Sequence, residues 1–544
     1  AVNTSGDSIC SWTFRKCPGF FDIQTYTGNG TGGLNISHDL GSIPGFVIVK
    51  STSLTEGWFC YHRSLGNTKM VALNGSGAAG TATQYWNDTS PTDTTFTVGT
   101  DTAVNANGQT YVAYLFAHND GSFGEDSDEA VIKCGGYTGT GSTGLFVNLG
   151  FEPQFVILKR TDDASNWLIL DHMRGVTFGS ADDIILNANQ QDNEANCKFN
   201  AMEFNPTGFT LSSAGGAVNG SGASYIYIAI RRPHKPPESA TDVFDIDTKS
   251  ASSANTPSYS ANFPVDLAIR RNNITSSDSF EFCTRITNTL LYASSTDAEV
   301  DGGSIFLDFF AFNNGWATSP GADSNDYLWM LKRAPGFMDV VAYSGNSTSG
   351  RTVDHNLTVV PEMMIVRKRN GSGNWQVYHS SQGNTKYSPS FRTDPFYTSS
   401  GIWNNTSPTS TQFTLGNAND VNGSFSYIAY LFATLPGISK VGSYSGTGSA
   451  QNIDCGFTNG ARFVLIKRAD TETQGSAPSR TNWYVWDSTR GISSGNDPWL
   501  ALNENDAQVT NTDYIDPLNA GFTVSSTGSG LNASGGTYIF LAIA

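Results

Sequence analysis

Tyr111-Val-Ala-Tyr-Leu-Phe-Ala117 is apolar on both faces, aromatic and β-branched, and it recurs along the chain. Tyr225-Ile-Tyr-Ile-Ala-Ile230, Tyr327-Leu-Trp-Met-Leu331, Tyr427-Ile-Ala-Tyr-Leu-Phe432 and Tyr538-Ile-Phe-Leu-Ala-Ile543 are close relatives, and Ile9-Cys-Ser-Trp-Thr-Phe14 is a sixth. Asn-rich turns lead in most of them: Asn3 to Gly6, Asn105 to Gly108, Asn219 to Gly222 and Asn532 to Gly535. A run of six or seven such residues between turn formers reads as a strand inside a sheet. Its reach of about 20 Å is too short to span a membrane. The recurrence makes the chain a tandem array, and the repeat has to be read before any motif.

Working outward from those strands places the neighbouring elements. Pro44-Gly-Phe-Val-Ile-Val-Lys50 recurs as Pro153-Gln-Phe-Val-Ile-Leu-Lys159, as Pro264-Val-Asp-Leu-Ala-Ile-Arg270 and as Arg462-Phe-Val-Leu-Ile-Lys467. Trp58-Phe-Cys-Tyr-His62 has relatives starting at Trp167, Trp375 and Trp483. Tyr26-Thr-Gly-Asn-Gly30 and Tyr137-Thr-Gly-Thr-Gly141 open two units with a tight turn. Arg15-Lys-Cys-Pro-Gly-Phe-Phe-Asp22 returns as Lys332-Arg-Ala-Pro-Gly-Phe-Met-Asp339, where Pro-Gly ends a strand and re-aims the chain.

These landmarks divide the chain into a closing strand and connector (1–22), module A (23–128), module B (129–236), a linker with divergent module C (237–336), an A-like module D (337–435) and a B-like module E (436–544). The order A-B-C-A-B is a higher repeat of about 310 residues. Arg232-Pro-His-Lys-Pro-Pro237 and the Ser/Thr/Ala-rich run to 256 read as a linker. Because the chain opens inside a recurring unit and begins with Ala1, we expect a piece or processed product of a longer polypeptide. The strand Ile9–Phe14 is then expected to pair with another domain or another chain. Little helix is expected, at most a short turn per module near 182–188 or 296–300. The predicted fold class is all-β: about five antiparallel β-sandwich modules, jelly-roll or lectin-like, in tandem.

Composition supports this. The 544 residues are 12% aromatic and only 15% charged, with 57 glycines. A net charge of −17 argues against binding a nucleic-acid backbone, which needs a basic face, and leaves weak divalent-cation binding open. Seven cysteines in no CxxC pair read as small buried hydrophobes and not as a zinc site or disulfide scaffold. No apolar run reaches the ~18 residues of a membrane helix.

The motifs with chemical potential are weak. Gly28-x-Gly30-x-x-Gly33 and Gly139-x-Gly141-x-x-Gly144 fit a dinucleotide fingerprint formally, but no helix pattern follows, so both read as turns. His62 and His379 occupy matching places, aligned with His172 in module B and Ser488 in module E; no nucleophile and acid can be assembled around them. Asp162/Asp163, Asp182/Asp183 and Asp297/Glu299 do not recur at matched sites, which argues against glycosidase carboxylates and for solvated loops. Trp58, Trp167, Trp375 and Trp483 read mainly as core. Trp86 and Trp403 lie at loop edges, and with His62 and His379 they are the candidates for surface contact. No catalytic, cofactor-binding or metal-ligating residue is expected.

Trp12-Thr-Phe-Arg-Lys-Cys-Pro-Gly-Phe-Phe-Asp22, Tyr26-Thr-Gly-Asn-Gly-Thr31, Tyr111-Val-Ala-Tyr-Leu-Phe-Ala-His-Asn-Asp120 and Trp329-Met-Leu-Lys-Arg-Ala-Pro-Gly-Phe-Met-Asp339 together resemble the repeat module of large virion proteins of tailed bacteriophages, many of them marine. The resemblance runs along essentially the whole chain and transfers no catalytic residue. It implies a non-enzymatic virion component at the particle surface or tail, expected to self-associate, to meet other virion proteins and to contact a host-surface glycan or protein. Nucleic acid and membrane insertion are not expected. The alternatives are a capsid-decorating or head-fibre protein, a carbohydrate-active depolymerase and a bacterial surface adhesin.

Overall fold

The structure is a computed structural model that describes residues 9–544 apart from 125–126, 180–181, 195–197, 250–256, 273–277, 302–311, 317–324, 390, 392, 471–481 and 529. The Asn3–Gly6 turn and Cys197 lie outside the described residues. The chain is nearly all antiparallel sheet and forms two compact units: residues 1–171 with 181–233, and 172–180 with 234–544.

Each module has one main sheet and one small sheet, and module B adds the two-stranded pair Asp183–Ile184 with Lys198–Phe199. In module A the main sheet runs Phe21–Thr27, Thr110–Phe116, Phe46–Ser51, Trp58–His62, Lys69–Ala72, Gly80–Thr81, and Leu34–Ser37 pairs with Thr95–Val98 beside it. Module D repeats this strand order from Met338–Ser344 to Tyr397–Thr398, with Arg351–Asp354 against Gln412–Leu415. Modules B and E have five-stranded main sheets and three-stranded small ones, and module C has a six-stranded main sheet.

The recurring apolar strand is central in every main sheet. Thr110–Phe116 hydrogen-bonds to Phe21–Thr27 on one edge and to Phe46–Ser51 on the other. A strand paired on both edges and covered on both faces must be apolar throughout. Its alternation of side chains serves two cores. In module D, Tyr427, Ala429 and Leu431 enter the sandwich between main and small sheets, while Ile428, Tyr430 and Phe432 enter a second core on the other side. That second core joins the main sheets of modules C, D and E within the second compact unit. A cavity of about 40 Å³ remains there, lined by apolar side chains that include Phe282, Trp329, Ile365, Phe432, Phe463 and Leu541. Such a void stays dry, because no polar group is present to hold water.

Four expectations change. The supposed linker contributes a strand: Phe244–Thr248 forms the edge of the module C sheet against Asp326–Leu331. Its alternation of Phe244 and Ile246 with aspartates is the pattern of an edge strand, one face in and one face wet. Residues 183–184 and 186–187 are short strands, and Thr296–Glu299 is irregular. The short helices are instead Thr83–Trp86, Thr102–Asn105, Ser400–Trp403 and Asn419–Asn422. Finally, Ile9–Phe14 is not a strand; Trp12 and Phe14 pack on Phe155 and Phe116 of the first unit, and Ile9 is exposed. Ser11 and Thr13 interrupt its apolar run, so it lacks the two apolar faces that the central strands bury.

Candidate functional site

The side chains that sequence marks as chemically capable collect at the seams between modules. His62 is fully buried. Its Nδ1 accepts from the Ser64 amide at 3.1 Å, so Nε2 carries the proton and donates to the Tyr227 carbonyl of module B at 3.1 Å. Burial lowers its pKa to about 4, against an upward pull from the hydrogen bond to the Tyr227 carbonyl, with lesser downward pushes from Arg63 and His118. His379 repeats this in module D: it is buried, accepts from the Ser381 amide at 3.3 Å, faces the Phe540 backbone of module E, and burial lowers its pKa to about 4. Both histidines are neutral seam residues.

Strand register corrects the alignment of this position in the other modules. His62 lies opposite Phe46 and His379 opposite Met363; in modules B and E the residues opposite Phe155 and Phe463 are Asp171 and Asp487, not His172 and Ser488. Asp487 is fully buried, accepts from the Trp329 indole of module C at 3.1 Å and pairs with Arg490 at 2.6 Å. Asp171 accepts from the Trp12 indole, also at 3.1 Å.

A second recurring residue escaped attention in the sequence. The strand on the far side of each central strand, Phe46–Ser51 and its equivalents, carries a cation at one register position: Lys50, Lys159, Arg271, Arg367 and Lys467, opposite Val112, Ile226, Tyr327, Ile428 and Ile539 of the central strands. Lys467 donates to the Thr393 carbonyl of module D at 3.2 Å, Arg271 to the Asp506 carbonyl of module E at 2.7 Å, and Arg367 to the Ser295 and Asp297 carbonyls of module C. The second unit is thereby fastened in a closed cycle, E to D, D to C and C to E. In the first unit Lys159 reaches the Ser76 carbonyl of module A at 3.1 Å. Burial lowers the pKa of Lys159 to about 8 and of Lys467 to about 7. The clue in the sequence was a cation ending each buried run, which looks like an ordinary strand end until the neighbour's carbonyls are seen.

Trp86 and Trp403 are buried, each donating to a carbonyl across its own module, Lys69 and Lys386, at 3.1 Å. The expectation of surface contact for Trp86, Trp403, His62 and His379 is therefore corrected: none presents a face to solvent. Trp167, Trp375 and Trp483 are buried too, whereas Trp58 is half-buried. Of the acidic pairs, Asp162 and Asp163 flank Arg160 in an exposed loop, but Asp183 is buried under the Ala201 and Met202 amides and Glu299 binds Arg369 at 2.7 Å.

The glycine-rich turns are closed by one buried asparagine each. Asn105, Asn219, Asn422 and Asn532 are fully buried; Asn105 donates to the Thr31 and Gly99 carbonyls and accepts from the Asn29 amide. A Cβ at Gly28, Gly139, Gly345 or Gly446 would fall 1.8 to 2.3 Å from a carbonyl oxygen of the facing turn, so glycine is required by close approach. The same backbone amides that would cradle a phosphate are consumed by these contacts.

Among the described residues no group of three or more His, Cys, Asp or Glu side chains could hold a metal, and no helix is long and apolar enough to cross a membrane. Cys60, Cys134, Cys283 and Cys455 are buried free thiols. No curated protein matches the chain. One family does, over residues 1–233 and again over 331–544, which are modules A and B and modules D and E, each led by the connector before it. With most of the chain matched twice over in this way, the protein belongs to the family described as a domain of unknown function, DUF7483.

Proposed function

We propose that the chain is a non-enzymatic structural protein of a tailed-phage virion, a tail fibre or other virion-surface fibre that contributes to assembly and host attachment. One observation carries the non-enzymatic part of this reading. The recurring histidines, Lys159, Arg271, Arg367, Lys467 and Asp487 are buried and committed to module–module contacts. A residue that must titrate or attack needs substrate access; these have given theirs up to stiffen a repeat. The phage assignment rests on the resemblance of the connector and central-strand motifs. Stiff serial sheets suit reach and shear resistance.

The test is immunogold electron microscopy with antibody against the purified chain. Label on fibres of tailed-phage particles supports the reading. Label on the capsid would replace it with a head-fibre role, and label on a bacterial envelope with an adhesin. Release of reducing ends from host polysaccharide by the purified chain would overturn the non-enzymatic assignment.

A further inference from the structure

The cavity where the main sheets of modules C, D and E meet is walled by strand neighbours. Module C presents one cross-strand row: Phe282 lies opposite Ile269, and Ile269 opposite Trp329. Module E presents another, with Val485 opposite Leu465 and Leu465 opposite Leu541. Module D adds Ile365 and Phe432 to the lining. All of these side chains are buried, and Val485 is buried completely. Residues directly opposite one another stand on the same face of a sheet, so each row is a continuous apolar wall. The middle strand of each row is hydrogen-bonded on both edges. A wall fixed in this way cannot slump into the gap beside it, and the void persists.

The chemistry of the wall selects its occupant. Among the described residues none puts a polar atom on it. Trp329 carries an indole N–H, but that group is spent on Asp487 at 3.1 Å. A buried water needs about two to four polar partners and would find none here. An apolar atom loses nothing on entry and gains dispersion contact on every side. Size narrows the choice further. An apolar cavity of about 150 Å³ takes benzene as well as xenon. One of about 40 Å³ excludes the ring and leaves room for the single atom. Because the whole lining is buried, an occupant enters when the sheets part transiently, which again favours the smallest species.

We propose that the three-sheet junction of the second unit is a binding site for a small apolar gas, one atom or one diatomic molecule, from which any ligand with a hydrogen-bonding group is excluded. The inference stands apart from the fibre reading and does not depend on it.

The test is methyl NMR of the full chain, labelled at Ile, Leu and Val, under rising xenon pressure. Methyl signals of Ile269, Ile365, Leu465 and Val485 should shift and then level off, as one site fills. Those of Val464 and Val524, in the sandwich core on the other face of the module E sheet, should stay in place. Val485→Ile puts one more carbon into the void. It should reduce the xenon shifts at Ile269, Ile365 and Leu465 by about ten-fold or more, because the added carbon occupies the same space, and should melt no lower than the wild type. The same enlargement at Val464, in the packed sandwich core, should lower the melting temperature. The proposal is wrong if the junction methyls of the wild type do not respond to xenon. It is equally wrong if shifts grow without levelling in both cores, which is non-specific solvation under pressure. A Val485→Ile chain that still responds as the wild type does, or that melts as low as Val464→Ile, also overturns it, since the junction then has no spare room at Val485.

Discussion

Acidification should loosen the seam between modules A and B, and His62 is the group that makes it do so. In the unfolded chain a histidine titrates near 6.5; in the seam His62 titrates at about 4 because protonation would place an uncompensated charge in a dry contact. The native state therefore binds fewer protons than the unfolded state between these values. Stability is intact above pH 6.5 and falls as the pH drops towards 4. At pH 4.5 this amounts to about 2.5 kcal/mol for this one side chain, nearly a hundred-fold in the folding equilibrium. His38 and His118 in the same unit are also lowered by burial and act in the same direction, so the contribution has to be isolated by difference. His62→Gln keeps a neutral donor for the Tyr227 carbonyl and removes the titration. Urea titrations at pH 7 and pH 4.5, read by hydrogen exchange of amides in Phe46–His62 and Ser224–Arg231, give the stability of the first unit separately. The wild-type chain should lose about 2.5 kcal/mol more than His62→Gln over that interval. Equal losses in the two proteins would show that the seam histidine is not excluded from water as its burial indicates.

Other perturbations probe the second unit. Lys467→Met removes a buried cation whose pKa burial lowers to about 7; the lysine's folded form binds fewer protons, so stability should rise from pH 7 to pH 10.5 in the wild type and stay flat in the variant. At pH 7 the variant should melt higher, by on the order of 1–3 kcal/mol after the orphaned Thr393 carbonyl is subtracted. Asp487→Asn should cost about 3–5 kcal/mol by calorimetry, because it leaves Arg490 buried without its carboxylate, whereas Trp329→Phe should cost nearer 1 kcal/mol of hydrogen bond plus lost contact. Gly345→Ala should prevent normal folding of module D, since its Cβ would lie 1.8 Å from the Gly423 carbonyl oxygen; a soluble variant with unchanged melting would refute the close approach.

The strands of the repeat were legible because burial on both faces demands a continuous apolar run, and such runs at Tyr111, Tyr225, Tyr427 and Tyr538 have no helical reading. The linker strand Phe244–Thr248 was not legible, since an edge strand with alternating aspartates has the composition of a loop. Trp86 and Trp403 look like loop-edge residues for a related reason: the one-turn helices that end at them bring the indoles inward, and a four-residue helix leaves no periodic trace.

The seams lay further still from what one dimension can carry. That His62 should be neutral, that Asp487 should receive an indole, and that Lys467 should end on a carbonyl are facts about residues from different modules, set by the register of sheets that meet only after folding. Local pattern specifies which backbone is extended and which face is apolar, because those follow from nearest neighbours in the chain. Which apolar face covers which, and which cations close the cycle of the second unit, depends on contacts separated by a hundred residues or more, and there only the tertiary structure decides.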